Sequence, residues 1–166
     1  NMCEQRVINN FFSALFHDLP EAVTRDIISP VKQATDDLPN IVKKIENEIV
    51  SKELVPLMEN FFVQEIIDYT SDEFSNRIKN DSGKIQNVSW EELNTKYNQN
   101  KYFPIDGRLV RIADHLSALM EADISIKHGI TSVHLINGRD GILYSYKDSE
   151  IINGINVFSL FNDIVS

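Results

Sequence analysis

His17 and Asp18 stand side by side at the end of an apolar stretch, just ahead of Pro20. An imidazole beside a carboxylate can share a proton or a cation with it. Glu21 and Asp26 follow within the same proline-bounded segment, among Leu, Ile and Val. Taking several carboxylates out of water without a counter-charge is costly. A divalent cation is one way to hold them together, and Arg25 and Lys32 offer another. The plainer alternatives are a core histidine with its hydrogen bonds satisfied, a capping role for Asp18, and an exposed acidic turn with basic partners. Asp114 is a second anchor, inside a strong helical pattern with Val110 and Ala118 one turn away on either side. If buried, it needs a partner, and a metal held by His17 and Asp18 would serve. At the surface, Arg111 is the alternative.

These residues need helices to position them. Val7, Ile8, Phe11, Phe12, Leu15 and Phe16 recur at helical spacing and predict one wide apolar face. Ile41, Ile45 and Ile49 mark another helix, which continues through Leu54, Leu57, Met58, Phe61 and Phe62 after an interruption near Pro56. Thr70-Ser71-Asp72-Glu73 has capping-box spacing and predicts a helix through Ile78, and Ser89-Trp90-Glu91-Glu92 predicts a short one. The polar, Asn-rich stretch 80–103 reads as a surface insertion or lid. Asp106 predicts an N-cap for the helix that carries Leu109, Ile112, Leu116 and Leu119, with Gly129 as its stop. Asn137-Gly138 and Asp140-Gly141 read as turns, and 142–146 as a short strand. A final helix runs through Val157, Leu160, Phe161 and Ile164. Phe61, Phe62, Phe158, Leu160 and Phe161 could serve a homodimer, with core packing as the other use.

The whole chain has 166 residues, the size of one domain with ample core. Its formal net charge is −9, which disfavours broad, sequence-blind attraction to a nucleic acid polymer. A small phosphorylated substrate stays compatible, because one metal ion can reverse the local potential. Cys3 is the single cysteine, so no intramolecular disulfide can form, and a reducing, cytoplasmic setting is expected. No apolar run is long enough to span a bilayer.

The pattern His17-Asp18 followed at a distance by Asp114 resembles the HD-domain superfamily of metal-dependent phosphohydrolases. The stretch 16–32 is similar, more closely, to its bacterial 5′-deoxynucleotidase branch: Glu21, then Thr24-Arg25-Asp26, then Pro30-Val31-Lys32. The resemblance implies an all-α HD-domain helical bundle over 1–166, with at most a minor strand near the C-terminus. It implies one divalent ion (Mn, Co, Fe, Mg or Zn) on His17, Asp18 and Asp114, a donor set that suits those ions. It implies hydrolysis of a phosphomonoester, a nucleoside or deoxynucleoside 5′-monophosphate, by a metal-activated water. Asp18 and Glu21 are then the catalytic residues, Glu21 orienting or deprotonating the water, and Asp26, Ser29 and Lys32 meet sugar or phosphate. Glu21 as a first-turn helix charge, Asp26 as a cap and Lys32 as a solvated lysine stay open. The family motif begins with an isolated histidine on an earlier helix, whereas His17 is the first histidine here. That ligand is expected from N-terminal helices ahead of Asn1, a site that has lost one ligand being the alternative. A non-catalytic nucleotide-binding or scaffold module on the same fold is the alternative function.

Overall fold

The computed structural model describes residues 1–24, 38–148 and 151–165. The fold is helical, as expected, with two small two-stranded antiparallel sheets among the described residues. Its contacts divide it into two units, Phe11–Glu73 and Asn1–Asn10 with Phe74–Ser166. Helix α1 (Glu4–Phe16) contributes to both.

In the first unit α1 is followed by the short α2 (Glu21–Thr24), α3 (Leu38–Ile49) and α4 (Val63–Thr70). Between α3 and α4 the chain widens into a π turn at Val50–Leu54 and tightens into a 3-10 turn at Val55–Leu57. Pro56 explains the change, since it has no N–H to give and its ring crowds the preceding turn. The Phe12 ring stacks on Phe16 at 6.0 Å and on Tyr69 at 5.7 Å. Asp68 is buried next to Tyr69, and its Oδ1 accepts from Gln64 Nε2 at 2.9 Å. Burial, then the carboxylates of Glu65 and Asp68, push the Tyr69 phenol up to about 12.

Thr70 ends a helix rather than starting one. Its hydroxyl donates back to the Ile66 carbonyl at 3.0 Å, and Asp72 turns the chain with φ 47°. A threonine oxygen suits either end, so the capping spacing alone does not choose. Arg77-Ile78-Lys79 then alternates as strand β1, paired with β2 (Ile85–Asn87) in the register Ile78↔Gln86.

The second unit continues with α5 (Trp90–Thr95), α6 (Gly107–Lys127), α7 (Val133–Ser145), the strands β3 (Ile151–Ile152) and β4 (Ile155–Asn156), and α8 (Val157–Val165). α5 carries the predicted capping box: Glu92 N–H donates to Ser89 Oγ, and Ser89 N–H donates to the Glu92 carboxylate. α6 is capped by Asp106, which accepts from Leu109 N–H, and it stops at Gly129, whose φ of +91° suits glycine. Ile112, Leu119, Ile152, Val157 and Phe161 form the core, with Ile142 and Leu143 against it.

The expected turns at Asn137-Gly138 and Asp140-Gly141 are inside α7, and 142–145 is helix rather than strand. Packing of Ile142 and Leu143 on the core outweighs the roughly 1 kcal/mol that each helical glycine costs. The Asn-Gly hairpin lies instead at Asn153-Gly154, where φ values of 50° and 88° join β3 to β4. Positive φ at both positions is the signature of the tight hairpin turn that favours this dipeptide.

α1 reverses the predicted pattern. Val7, Phe11 and Leu15 are half exposed or more (50%, 63% and 60%), while Arg6, Asn9 and Ser13 are fully buried. Arg6 and Asn9 of this buried polar stripe make hydrogen bonds, while Arg6 Nε and Ser13 Oγ make none among the described residues. Arg6 Nη2 meets Asp106 Oδ2 at 2.5 Å, Arg6 Nη1 donates to Asn94 Oδ1 at 2.9 Å, and Asn9 Nδ2 donates to the Pro104 carbonyl at 3.0 Å. Phe61, a candidate core residue, is 84% exposed beside Phe62.

Candidate metal centre

His17 follows the last residue of α1, where carbonyls lack intrahelical partners. Its Nδ1 lies 2.9 Å from the Ala14 carbonyl oxygen. A carbonyl only accepts, so Nδ1 carries the hydrogen and Nε2 is the atom left to act. Nε2 lies 3.1 Å from Asp18 Oδ2. With a neutral ring, that contact sets an imidazole lone pair against a carboxylate lone pair. A proton on Nε2 or a cation near both atoms turns it into attraction. An imidazole oriented through its other nitrogen by a backbone carbonyl is also the usual arrangement of a metal-ligating histidine. The sequence did not single out Ala14, although a position three residues before a helix-terminal histidine is the place to look.

The chain from Phe16 to Ala22 is a run of tight turns. Leu19 N–H donates to the Phe16 carbonyl at 2.9 Å, and Glu21 N–H to the Asp18 carbonyl at 2.9 Å. The Glu21 side chain, half-buried, thus starts α2 one turn after the His17-Asp18 pair. Asp26, Ser29 and Lys32 lie outside the described residues.

Asp114 is half-buried on α6 in the other unit. Arg111 is not its salt-bridge partner: the Arg111 guanidinium stacks over the Phe74 ring at 4.8 Å and makes no ion pair with a described carboxylate. His115 faces elsewhere, with Nδ1 2.8 Å from the Tyr146 hydroxyl. Burial holds its imidazole below the ordinary range.

A family model described as an HD domain matches residues 1–142. This chain belongs to the HD-domain family. HD domains in general bind divalent metals and act as metal-dependent phosphohydrolases, so the family supplies the general class of the reaction. Comparisons with curated proteins and with solved structures give no match. No described helix is long and apolar enough to cross a membrane. His17 and Asp18 offer an imidazole nitrogen and a carboxylate oxygen, donors whose chemistry fits a divalent ion.

Proposed function

We propose that this HD domain hydrolyses the phosphomonoester of a nucleoside or deoxynucleoside 5′-monophosphate, with one divalent ion held by His17, Asp18 and Asp114. The observation that carries the reading is the His17 arrangement: Nδ1 committed to a backbone carbonyl, and Nε2 turned toward a carboxylate at 3.1 Å. When bound, the ion supplies Lewis acidity, lowering the pKa of water and offsetting phosphoryl charge. Glu21, one turn from the ligands, orients the attacking water and accepts its proton. Asp26, Ser29 and Lys32 contact sugar or phosphate, Lys32 as a point charge.

The test uses the full-length protein with each divalent metal in turn and a panel of nucleoside 5′-monophosphates. Phosphate release that a chelator stops is expected. No release with any metal sinks the enzymatic reading, and nucleotide-dependent thermal stabilisation without turnover then favours the binding module. Asp114→Asn and His17→Ala should each lower metal occupancy, measured by elemental analysis after dialysis. Unchanged occupancy would remove that residue from the ligand set.

A further inference from the structure

The unit containing α6, α7 and α8 holds a cavity of about 360 Å³, lined among others by Arg108, Arg111, Tyr144, Tyr146 and Asp148. Arg108 and Arg111 are three residues apart on α6, so they are neighbours on one helix face. Each guanidinium lies over an aromatic ring, Arg108 over Trp90 at 5.3 Å and Arg111 over Phe74 at 4.8 Å. Stacking occupies the flat face of a guanidinium and leaves its in-plane N–H fork available for a planar or tetrahedral oxyanion. Neither side chain makes an ion pair with a described carboxylate. In a chain with 16 basic and 25 acidic residues, two adjacent arginines that pair with no described carboxylate concentrate positive charge on one wall of this cavity.

The rest of the lining agrees with an anion. Tyr146 is fixed by its contact with His115 Nδ1 at 2.8 Å and by Phe161, edge to face at 4.9 Å. Burial raises its phenol, so it stays protonated. Tyr144 adds a hydroxyl at the exposed side. Asp148 is an opposing charge in the lining, and it is exposed; the Asp114 carboxylate also acts on Tyr146. The volume is at the low end for small-ligand pockets, which suits a single phosphate group with little attached rather than a dinucleotide.

We propose that this cavity is a binding site for a phosphate-bearing small molecule, with Arg108 and Arg111 as the donors that hold the phosphate. It needs neither His17 nor a metal, so it stands or falls apart from the hydrolytic reading.

The experiment is calorimetric titration of inorganic phosphate and of pyrophosphate into chelator-treated full-length protein. Saturable binding is expected. Arg108→Gln and Arg111→Gln should each weaken it by about tenfold or more, the scale of a lost charge-assisted hydrogen bond. Arg111 is exposed, so its variant is expected to fold, and an unchanged melting temperature checks this. Asp148→Asn should tighten binding by removing the opposing charge. Absence of binding to the chelated protein, or equal binding by both Arg→Gln variants, overturns the proposal. Metal-dependent phosphate release, assayed separately, reports on the other reading.

Discussion

A single histidine shows how far local chemistry can be read from residue types. His17 beside Asp18 is legible as a neighbouring imidazole and carboxylate, and His17 Nε2 lies 3.1 Å from Asp18 Oδ2. What the types could not give is the tautomer, which depends on the Ala14 carbonyl 2.9 Å from Nδ1. Tyr69 is a second case. A phenol held at about 12 keeps its proton where an unfolded chain, at 10.0, has lost it. The folded state therefore binds more protons across that window, and stability falls as pH rises through it. Urea midpoints measured in steps over the window should drop for the native protein, and Tyr69→Phe should flatten the slope. Gly107 makes a third residue-scale prediction. A Cβ there would run into the backbone of Phe74 and Ser75, which cannot swing aside as a side-chain tip can. Gly107→Ala should destabilise by about 1–3 kcal/mol in chemical denaturation.

Elements were legible where a local signal and the packing agreed. Ser89-Trp90-Glu91-Glu92 is a capping box in sequence and in structure, and Leu93 inside it is fully buried. Ser89→Ala should cost about 1 kcal/mol of stability, read from the denaturant midpoint. The Ser89 backbone N–H, then the Ser89 side chain, also hold the Glu92 carboxyl below its usual value, so that contribution is present at neutral pH and is lost as acid protonates it. Local signals misled where packing chose differently. Thr70 has a capping sequence, yet it closes α4 because its hydroxyl reaches back to Ile66. Two Gly-containing dipeptides in α7 look like turns, yet the helix continues because Ile142 and Leu143 gain core contacts. Asn153-Gly154 is the same kind of dipeptide, and there the flanking isoleucines pair as strands.

At the scale of the whole molecule, the start of the chain is fixed by residues about a hundred positions away. Cys3 N–H donates to Asn98 Oδ1 at 2.9 Å and Gln5 N–H to Asn100 Oδ1 at 3.1 Å. These satisfy donors at the beginning of α1 that have no partner within the helix. The Asn-rich stretch thus supplies acceptors to the start of α1. Arg6 pairs with Asp106 inside the same unit, both side chains fully buried, and Asn153 Nδ2 adds a bond to Asp106 at 3.2 Å. One aspartate therefore joins the start of α1, the start of α6 and the β3–β4 hairpin. Arg6→Met should leave a buried carboxylate without its cation and cost about 3–5 kcal/mol, visible as a lowered denaturant midpoint. A loss below 1 kcal/mol would mean that water reaches Asp106.

Sequence alone determined the helical class, the N-caps at Ser89 and Asp106 and the stop at Gly129, because each depends on neighbours within a few residues. Tertiary structure decided which face of α1 is buried. Helical periodicity weighs apolar residues and predicts that they go inside, but Arg6 and Asn9 found fully formed partners in Asp106 and Pro104. A buried polar group whose hydrogen bonds are made loses little, so for Arg6 Nη1 and Nη2 and for Asn9 burial followed the partners and not the hydropathy. The same limit hid Arg108 and Arg111: a spacing shows that two arginines share a helix face, and only the fold shows that each lies over an aromatic ring, Trp90 and Phe74.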